Sequence, residues 1–263
     1  ICDLHMSTSS SMLDGTHRLH INGQSITPMG KVACFSQYSV VPEIACIPYQ
    51  SKISPTVAAL IGCSVTTGIC SVIKAAEVQP GSTVAIVGCG GVGINIIQGA
   101  KMIGATTIIA IDVNKTPLEF ALQFGATDTI NSSTENVKTR ISALTNGLGV
   151  DYTFESYGSA ETMELAYEIV RKGGIVTVVG IAPDNQQATI DPVTLVRQEK
   201  TIKGTYYGSA NVHTDIPQII DKYLNSELNI DSLITRTYNL DEINTAYRDL
   251  NSGQAGRGVV TEF

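Results

Sequence analysis

The sequence predicts an α/β protein built on a doubly wound parallel sheet. Three observations carry that prediction. Short, wholly apolar strands recur between residues 83 and 203, as in a parallel sheet covered on both faces. Segments of helical period separate them, giving a strand–helix alternation. A glycine-rich turn joins the first of these strands to the helix after it. The composition permits such a core: the 263 residues are 43% apolar and 16% charged, which excludes a disordered polyelectrolyte.

The first fifty residues read as β structure. Segments 18–21 and 24–26 flank Asn22-Gly23, a hairpin turn because that pair tolerates two positive φ angles. Residues 35–41 alternate as a strand would, and Pro42 ends them. Pro55 opens a small-residue apolar stretch, 57–73, read as one helix or two short ones. Pro80-Gly81 then turns the chain into the apolar strand 83–87. A helix over 94–103 follows the glycines, then a buried strand over 106–111. Pro117 begins a helix that Gly125 ends. A strand at 128–130, a helix at 137–144 and a strand at 152–154 come next. The helix 160–171 is stopped by Gly173-Gly174, and strands 175–179 and 201–203 complete the alternation. The remainder holds helices at 216–224 and 240–250 and a final strand at 258–262.

Charge and hydropathy narrow the function. Seventeen Lys+Arg against 24 Asp+Glu give a net charge of −7, with no basic cluster, so neither nucleic acid nor an anionic membrane is the expected partner. The uncharged stretches 53–73 and 78–100 are broken by Ser, Thr and Pro or by six glycines, and no membrane span is expected. The first ten residues have no basic start and no apolar core, so no signal peptide is visible. Cysteines stand at 2, 34, 46, 63, 70 and 89 without a C-x-x-C pair, which suits small buried hydrophobes in a reducing cytoplasm.

Gly88-Cys89-Gly90-Gly91-Val92-Gly93 matches G-x-G-x-x-G. The chain has 24 glycines, so the hexapeptide alone says little. Its setting says more: a buried strand leads into it and a helix leaves it. Asp112 closes the next strand about 20 residues on, as a dinucleotide fingerprint requires. Gly88 permits the tight turn, Gly90 the close approach of a pyrophosphate, and Gly93 the seating of the helix on the strand. Free N–H groups and the positive end of the helix then face the anion. Asp112 would accept hydrogen bonds from ribose hydroxyls and repel a 2′-phosphate, and Val113 supplies no Arg to neutralise one. NAD is therefore expected over NADP.

Ahead of this loop, Gly62-Cys63-Ser-Val-Thr-Thr67-Gly68 joins a set of segments with a common likeness. The others are MLDGTHRLH, FSQYSVVPE, AEVQPGSTVAIVGCGGVG, DYTFESYG and the terminal SGQAGRGVVTEF. In order, and over essentially the whole chain, they resemble the zinc-dependent medium-chain alcohol dehydrogenases. The likeness is near the glutathione-dependent formaldehyde dehydrogenases, and nearer still to the bacterial nitrosoaniline-dependent alcohol dehydrogenases. The resemblance implies a Rossmann cofactor domain over 65–206, with residues 1–64 and 207–263 belonging to a mainly-β GroES-like catalytic domain. It implies that Cys63 is the last of three protein ligands of a catalytic zinc. Thr67 and Val92 would press on the nicotinamide, and Asp112 would hold the ribose. The backbone of Val179, Gly180 and Ile181 would bind the carboxamide, Tyr207 would touch the cofactor, and Arg257 would pair with the pyrophosphate. Read alone, Arg257 is a solvated charge near the terminus and Tyr207 a core aromatic.

The implied activity is NAD-linked oxidation of a primary alcohol to an aldehyde, in a homodimer or homotetramer joined through the cofactor domains. A hydride leaves a carbinol carbon readily only when its oxygen is nearly an alkoxide, which a zinc with an open position favours. The family's first zinc cysteine, its Gly-His-Glu segment and its proton-relay hydroxyl fall ahead of Ile1. A fragment of a longer enzyme, inactive alone, is expected, with no proton-relay residue identified in it. Only Cys2 is in register with a structural-zinc cysteine, and His5, His17, His20 and His213 replace no lost ligand by motif. Met6 stands where glutathione-dependent members carry Arg, and Pro117 where a lysine often follows the ribose aspartate. Two other readings stay open: a zinc-free medium-chain quinone or enone reductase, and a non-catalytic NAD-binding module.

Overall fold

The computed structural model describes residues 12, 14–49 and 52–263. Cys2, His5 and Met6, with the readings attached to them, lie outside the described residues. Strands β1 (Leu19–Ile21) and β2 (Gln24–Ile26) form the expected hairpin, with Asn22 at φ 51° and Gly23 at φ 79°. Both turn residues are left-handed, which explains the Asn-Gly pair.

Residues 35–41 form no strand. Their alternation promised a half-buried edge, but Tyr38 is 91% exposed. The Ser36 and Ser39 hydroxyls instead donate to the Ala33 carbonyl, and Ser36 also donates to Tyr38 O. Local side-chain bonds of this kind compete with a strand ladder wherever no neighbouring strand supplies partners.

Helix α1 (Pro55–Ala75) opens with Ser54 as its cap, the hydroxyl accepting from the Val57 N–H at 3.3 Å. It is one helix containing two π-helical turns, Ile61–Val65 and Ser71–Ala75. By length and composition alone it could cross a membrane. Its Val57, Ile61, Val65, Ile69 and Val72 are instead buried in the core, as in the central helix of a globular domain.

Six parallel strands follow: β3 (Thr83–Val87), β4 (Thr107–Asp112), β5 (Asp128–Asn131), β6 (Val150–Glu155), β7 (Val170–Val178) and β8 (Thr201–Gly204). Helices α2 (Gly91–Ile103), α3 (Lys115–Phe124), α4 (Val137–Leu144), α5 (Ala160–Ile169) and α6 (Pro192–Arg197) connect them. The sheet order is β5-β4-β3-β6-β7-β8, with every neighbouring pair parallel. Successive residues of β3 and β4 serve opposite faces. Val84, Ile86, Ile108 and Ala110 pack with α1 and α2, while Ala85, Val87, Ile109 and Ile111 pack with α4 and α5. Both parities must therefore be apolar, which is the pattern visible in the sequence. Burying each such isoleucine stabilises the domain by about 1.5–3 kcal/mol.

The chain winds outward from β3 to β5, then returns to lay β6 beside β3. The winding reverses there, leaving a crevice at the carboxyl ends of β3 and β6, where α/β sheets bind ligands. The site lies at this end of the sheet.

Three elements differ from expectation. Helix α5 already ends at Ile169, and strand β7, expected only from 175, begins at Val170 and runs through Gly173-Gly174. A Cβ on Gly174 would lie 2.6 Å from Val170 Cγ2 and 2.9 Å from Asp151 O, so glycine is needed inside the strand. Helix α6 follows an Asp191 cap whose carboxylate accepts from Val193 N and Thr194 N. Past α7 (Val212–Leu224), strand β9 (Ile234–Asn239) pairs in parallel with β10 (Arg257–Glu262), with α8 (Ile243–Asn251) between them. This βαβ unit carries Arg257 back to the crevice.

Candidate functional site

The glycine loop sits at the tip of β3. Gly88 has φ 92°, a left-handed conformation that favours glycine. Its N–H donates to Ile111 O at 2.8 Å, and its carbonyl accepts from Ser156 Oγ at 2.7 Å. Gly90 caps α2 with extended backbone, and no side chain bonds the first N–H groups of that helix. They are left aimed out of the sheet, with the positive end of the helix dipole behind them. Gly93 seats the helix on the turn: a Cβ there would lie 2.0 Å from Gly88 O.

Arg257 closes the loop from the far end of the chain. Its guanidinium lies over Gly91, where a Cβ would come within 2.0 Å of Nε. Burial pulls its pKa below the ordinary arginine value. Among the described residues no carboxylate forms an ion pair with it. A desolvated cation beside uncapped N–H groups is a cradle for an anion.

Asp112 ends β4 beside this cradle. Its Oδ2 accepts from Cys89 N at 2.9 Å and its Oδ1 from Asn114 N at 2.9 Å. Each oxygen keeps a free lone pair, enough for a diol. Cys89 is 1% exposed, and burial pushes its thiol well above the ordinary range. That side chain packs and does not react, while its N–H locks the loop to Asp112.

On the other side of β3, Val179 N and Gly180 N both donate to the Glu155 carbonyl, at 2.8 and 3.0 Å. The N–H groups of this pair are spent, so their carbonyls are what they offer a ligand. Ile181 is 78% exposed beyond them. Thr67 is buried in α1, next to Gly68, where a Cβ would lie 2.8 Å from Val92 O. Gly68 lets the two helices meet closely, against the Asn95 Cβ and the Val92 carbonyl, which brings Thr67 to the base of the loop.

Tyr207 has φ 57° in a left-handed run with Gly208 and Ser209. Its hydroxyl donates to Gly62 O, and burial beside Cys63 and Cys70 pushes the phenol up to about 12. Cys63 is exposed on the first π turn of α1. It shares a cavity of about 470 Å³ with Arg257, walled by Tyr247 and Leu250 of α8.

A profile of the zinc-binding dehydrogenases matches residues 91–225. The chain is 38% identical to the class-3 alcohol dehydrogenase of Dictyostelium discoideum over 255 residues, 95% of this chain and 67% of that one.

The chain belongs to the zinc-binding dehydrogenase family.

It is also 37% identical to the S-(hydroxymethyl)glutathione dehydrogenase of Paracoccus denitrificans, over 95% of this chain and 66% of that one. The benzyl alcohol dehydrogenase of Acinetobacter calcoaceticus superposes with a TM-score of 0.84 at 30% identity, covering 88% of this chain and 64% of that one. The chain thus spans about two thirds of the length of its curated relatives.

As in the other zinc-binding dehydrogenases, the fold is a parallel six-stranded α/β sheet. It gathers Gly88 to Gly93, Asp112 and Arg257 at one end of the sheet, with Thr67 and Val92 at the base of the loop. The chemistry of these groups fits the diphosphate and ribose of a dinucleotide. The donor set for a metal does not close. Among the described residues no three His, Cys, Asp or Glu side chains lie together, and the groups near Cys63 are Tyr207 and Arg257. The described residues alone do not complete a zinc site.

Sequence reasoning passed over Glu155 and Ser156. The signal was a lone carboxylate ending an apolar strand in DYTFESYG, with a glycine close behind. An ionisable side chain at the crevice end of a central strand is rarely idle.

Proposed function

We propose that this chain carries the cofactor-binding part of an NAD-linked, zinc-dependent alcohol dehydrogenase that converts primary alcohols to aldehydes. The carrying observation is Arg257, a half-buried guanidinium without a carboxylate partner among the described residues, laid across the uncapped start of α2. In this reading the N–H groups of Gly91, Val92 and Gly93 and the Arg257 fork hold the pyrophosphate. Asp112 takes the ribose hydroxyls, and its charge turns away a 2′-phosphate. The carbonyls at Val179 to Ile181 and the Tyr207 region orient the carboxamide, and Thr67 and Val92 press the ring from behind. NAD supplies the hydride acceptor when bound. Cys63 is proposed as one thiolate of a zinc site that the described residues do not complete.

Residues 65–206 are proposed as the cofactor domain, with 1–64 and 207–263 belonging to the catalytic domain. A cytoplasmic homodimer or homotetramer acting on a small alcohol or aldehyde accompanies this reading. The names of the relatives support it, since both class-3 alcohol dehydrogenase and benzyl alcohol dehydrogenase act on alcohols by name.

Calorimetric titration of the folded chain tests it. NADH is expected to bind at least about tenfold more tightly than NADPH, the equivalent of 1.4 kcal/mol. Asp112→Asn, which keeps an acceptor and removes the charge, should narrow that preference. A folded chain that binds no NADH, or prefers NADPH, sinks the reading.

A further inference from the structure

We propose that Glu155 is the positioning residue that sets the nicotinamide end of the crevice, an inference that rests on the cofactor reading above. Glu155 is the last residue of β6, paired with Val87 of β3 on one side and Val178 of β7 on the other. Its side chain is 1% exposed. Among the described residues no Lys, Arg or His pairs with it. A side chain needed only to plug the end of a buried strand would be apolar, because burying a carboxylate is unfavourable unless hydrogen bonds replace its water.

Hydrogen bonds do replace it, and all of them come from the next loop and helix. Oε1 accepts from Tyr157 N at 2.9 Å, Gly158 N at 2.7 Å and Thr162 Oγ1 at 2.8 Å. The main-chain carbonyl of the same residue accepts from Val179 N and Gly180 N. One residue therefore fixes two loops, the side chain holding 157–158 and the backbone holding 179–180. The loops then meet glycine to glycine. A Cβ on Gly180 would lie 2.3 Å from Gly158 N and 2.7 Å from Glu155 Oε2, and one on Gly158 would lie 2.6 Å from Ile181 O. Any shift of 157–158 is passed directly to the carbonyls offered to the carboxamide. A carboxylate suits this task because it is acceptor-only, and here Oε1 takes all three donors.

The diphosphate end touches this loop through Ser156 Oγ, which donates to Gly88 O, but it also has supports of its own. Cys89 N is held by Asp112 and Gly88 N by Ile111 O. Loss of Glu155 should therefore fall unevenly along the cofactor. The test compares NADH with ADP-ribose, which lacks the nicotinamide, on the same folded chain. Glu155→Ala is expected to weaken NADH by at least about tenfold, as charge-assisted bonds are lost, and to leave ADP-ribose within about twofold. Glu155→Gln keeps an acceptor oxygen and should fall between wild type and Ala. Thr162→Val removes one donor from α5 and should move the same ratio by a smaller factor. If Glu155→Ala does not fold, the Gln and Val variants decide by that ratio. Equal weakening of both ligands, or no weakening of either, overturns the proposal and leaves the cofactor reading standing. A wild-type chain that binds neither ligand overturns both, and that result is read before any variant is made.

Discussion

Alanine at Gly93 is expected to abolish NADH binding and to destabilise the chain together. The added methyl would sit 2.0 Å from the Gly88 carbonyl oxygen and 3.0 Å from Ser156 Oγ. Neither neighbour can give way locally. The Gly88 carbonyl belongs to a left-handed turn whose N–H is tied to Ile111 O, and Ser156 Oγ donates to that same carbonyl. The strain must lift α2 off the turn. Overpacking of this kind costs about 1–3 kcal/mol, and a backbone neighbour puts this case at the upper end. The lifted helix also carries its N–H groups away from the diphosphate, so affinity should fall at least about a hundredfold, the equivalent of 2.7 kcal/mol. Gly90→Ala is the control for stability alone, since Gly90 is assigned to the approach of the pyrophosphate. Its Cβ would meet nothing within 4 Å, and its φ of −72° suits any residue. Urea unfolding of both variants reads the contrast in stability, and NADH fluorescence titration of Gly93→Ala reads the loss of affinity. A Gly93→Ala chain with wild-type affinity would show that the loop holds no phosphate.

The contrast between these glycines also marks what a sequence can disclose. The roles of Gly88 and Gly93 are local, set by a strand, a turn and a helix adjacent in the chain, so the spacing announces them. The doubly wound sheet is legible for a similar reason, because strands covered on both faces lose their alternation. Segment 35–41 misled for the opposite reason. It alternates, but alternation presupposes an edge to pair with, and among the described residues none is offered. Strand β9 was hidden because ITRTYN mixes exposed polar residues with one buried Tyr238, and its partner β10 comes only after α8. Glu155 was hidden because its partners are backbone N–H groups and one threonine, and no side-chain pattern reports a main-chain donor. Arg257 and Gly91 are far apart in the chain and are joined only by the fold. The family resemblance implied only that Arg257 meets the pyrophosphate, and the fold places it over Gly91.

Because Arg257 stands over the loop without a carboxylate partner among the described residues, its contributions to folding and to binding should separate. Burial lowers the pKa of the guanidinium, so the charged form is less comfortable folded than unfolded. Replacing a half-buried, uncompensated charge with an apolar side chain of similar length can be neutral or stabilising. Arg257→Met is therefore expected to melt at the wild-type temperature or above it. The same substitution removes a charge-assisted, two-pronged contact with the anion, worth about 1.5–3 kcal/mol. NADH affinity should then fall by roughly ten- to a hundredfold. ADP-ribose should weaken by the same factor, because the contact is to the diphosphate that both ligands carry. Arg257→Lys keeps the charge but not the planar fork, and should recover only part of the loss. Calorimetry for thermal stability and titration with the two ligands measure these effects independently. A Met variant that binds NADH as tightly as wild type would return Arg257 to the reading its sequence position first suggests, a charge near the chain end. A Met variant that loses binding while gaining stability would mean the fold holds this arginine at a thermodynamic disadvantage, one that only a bound anion removes.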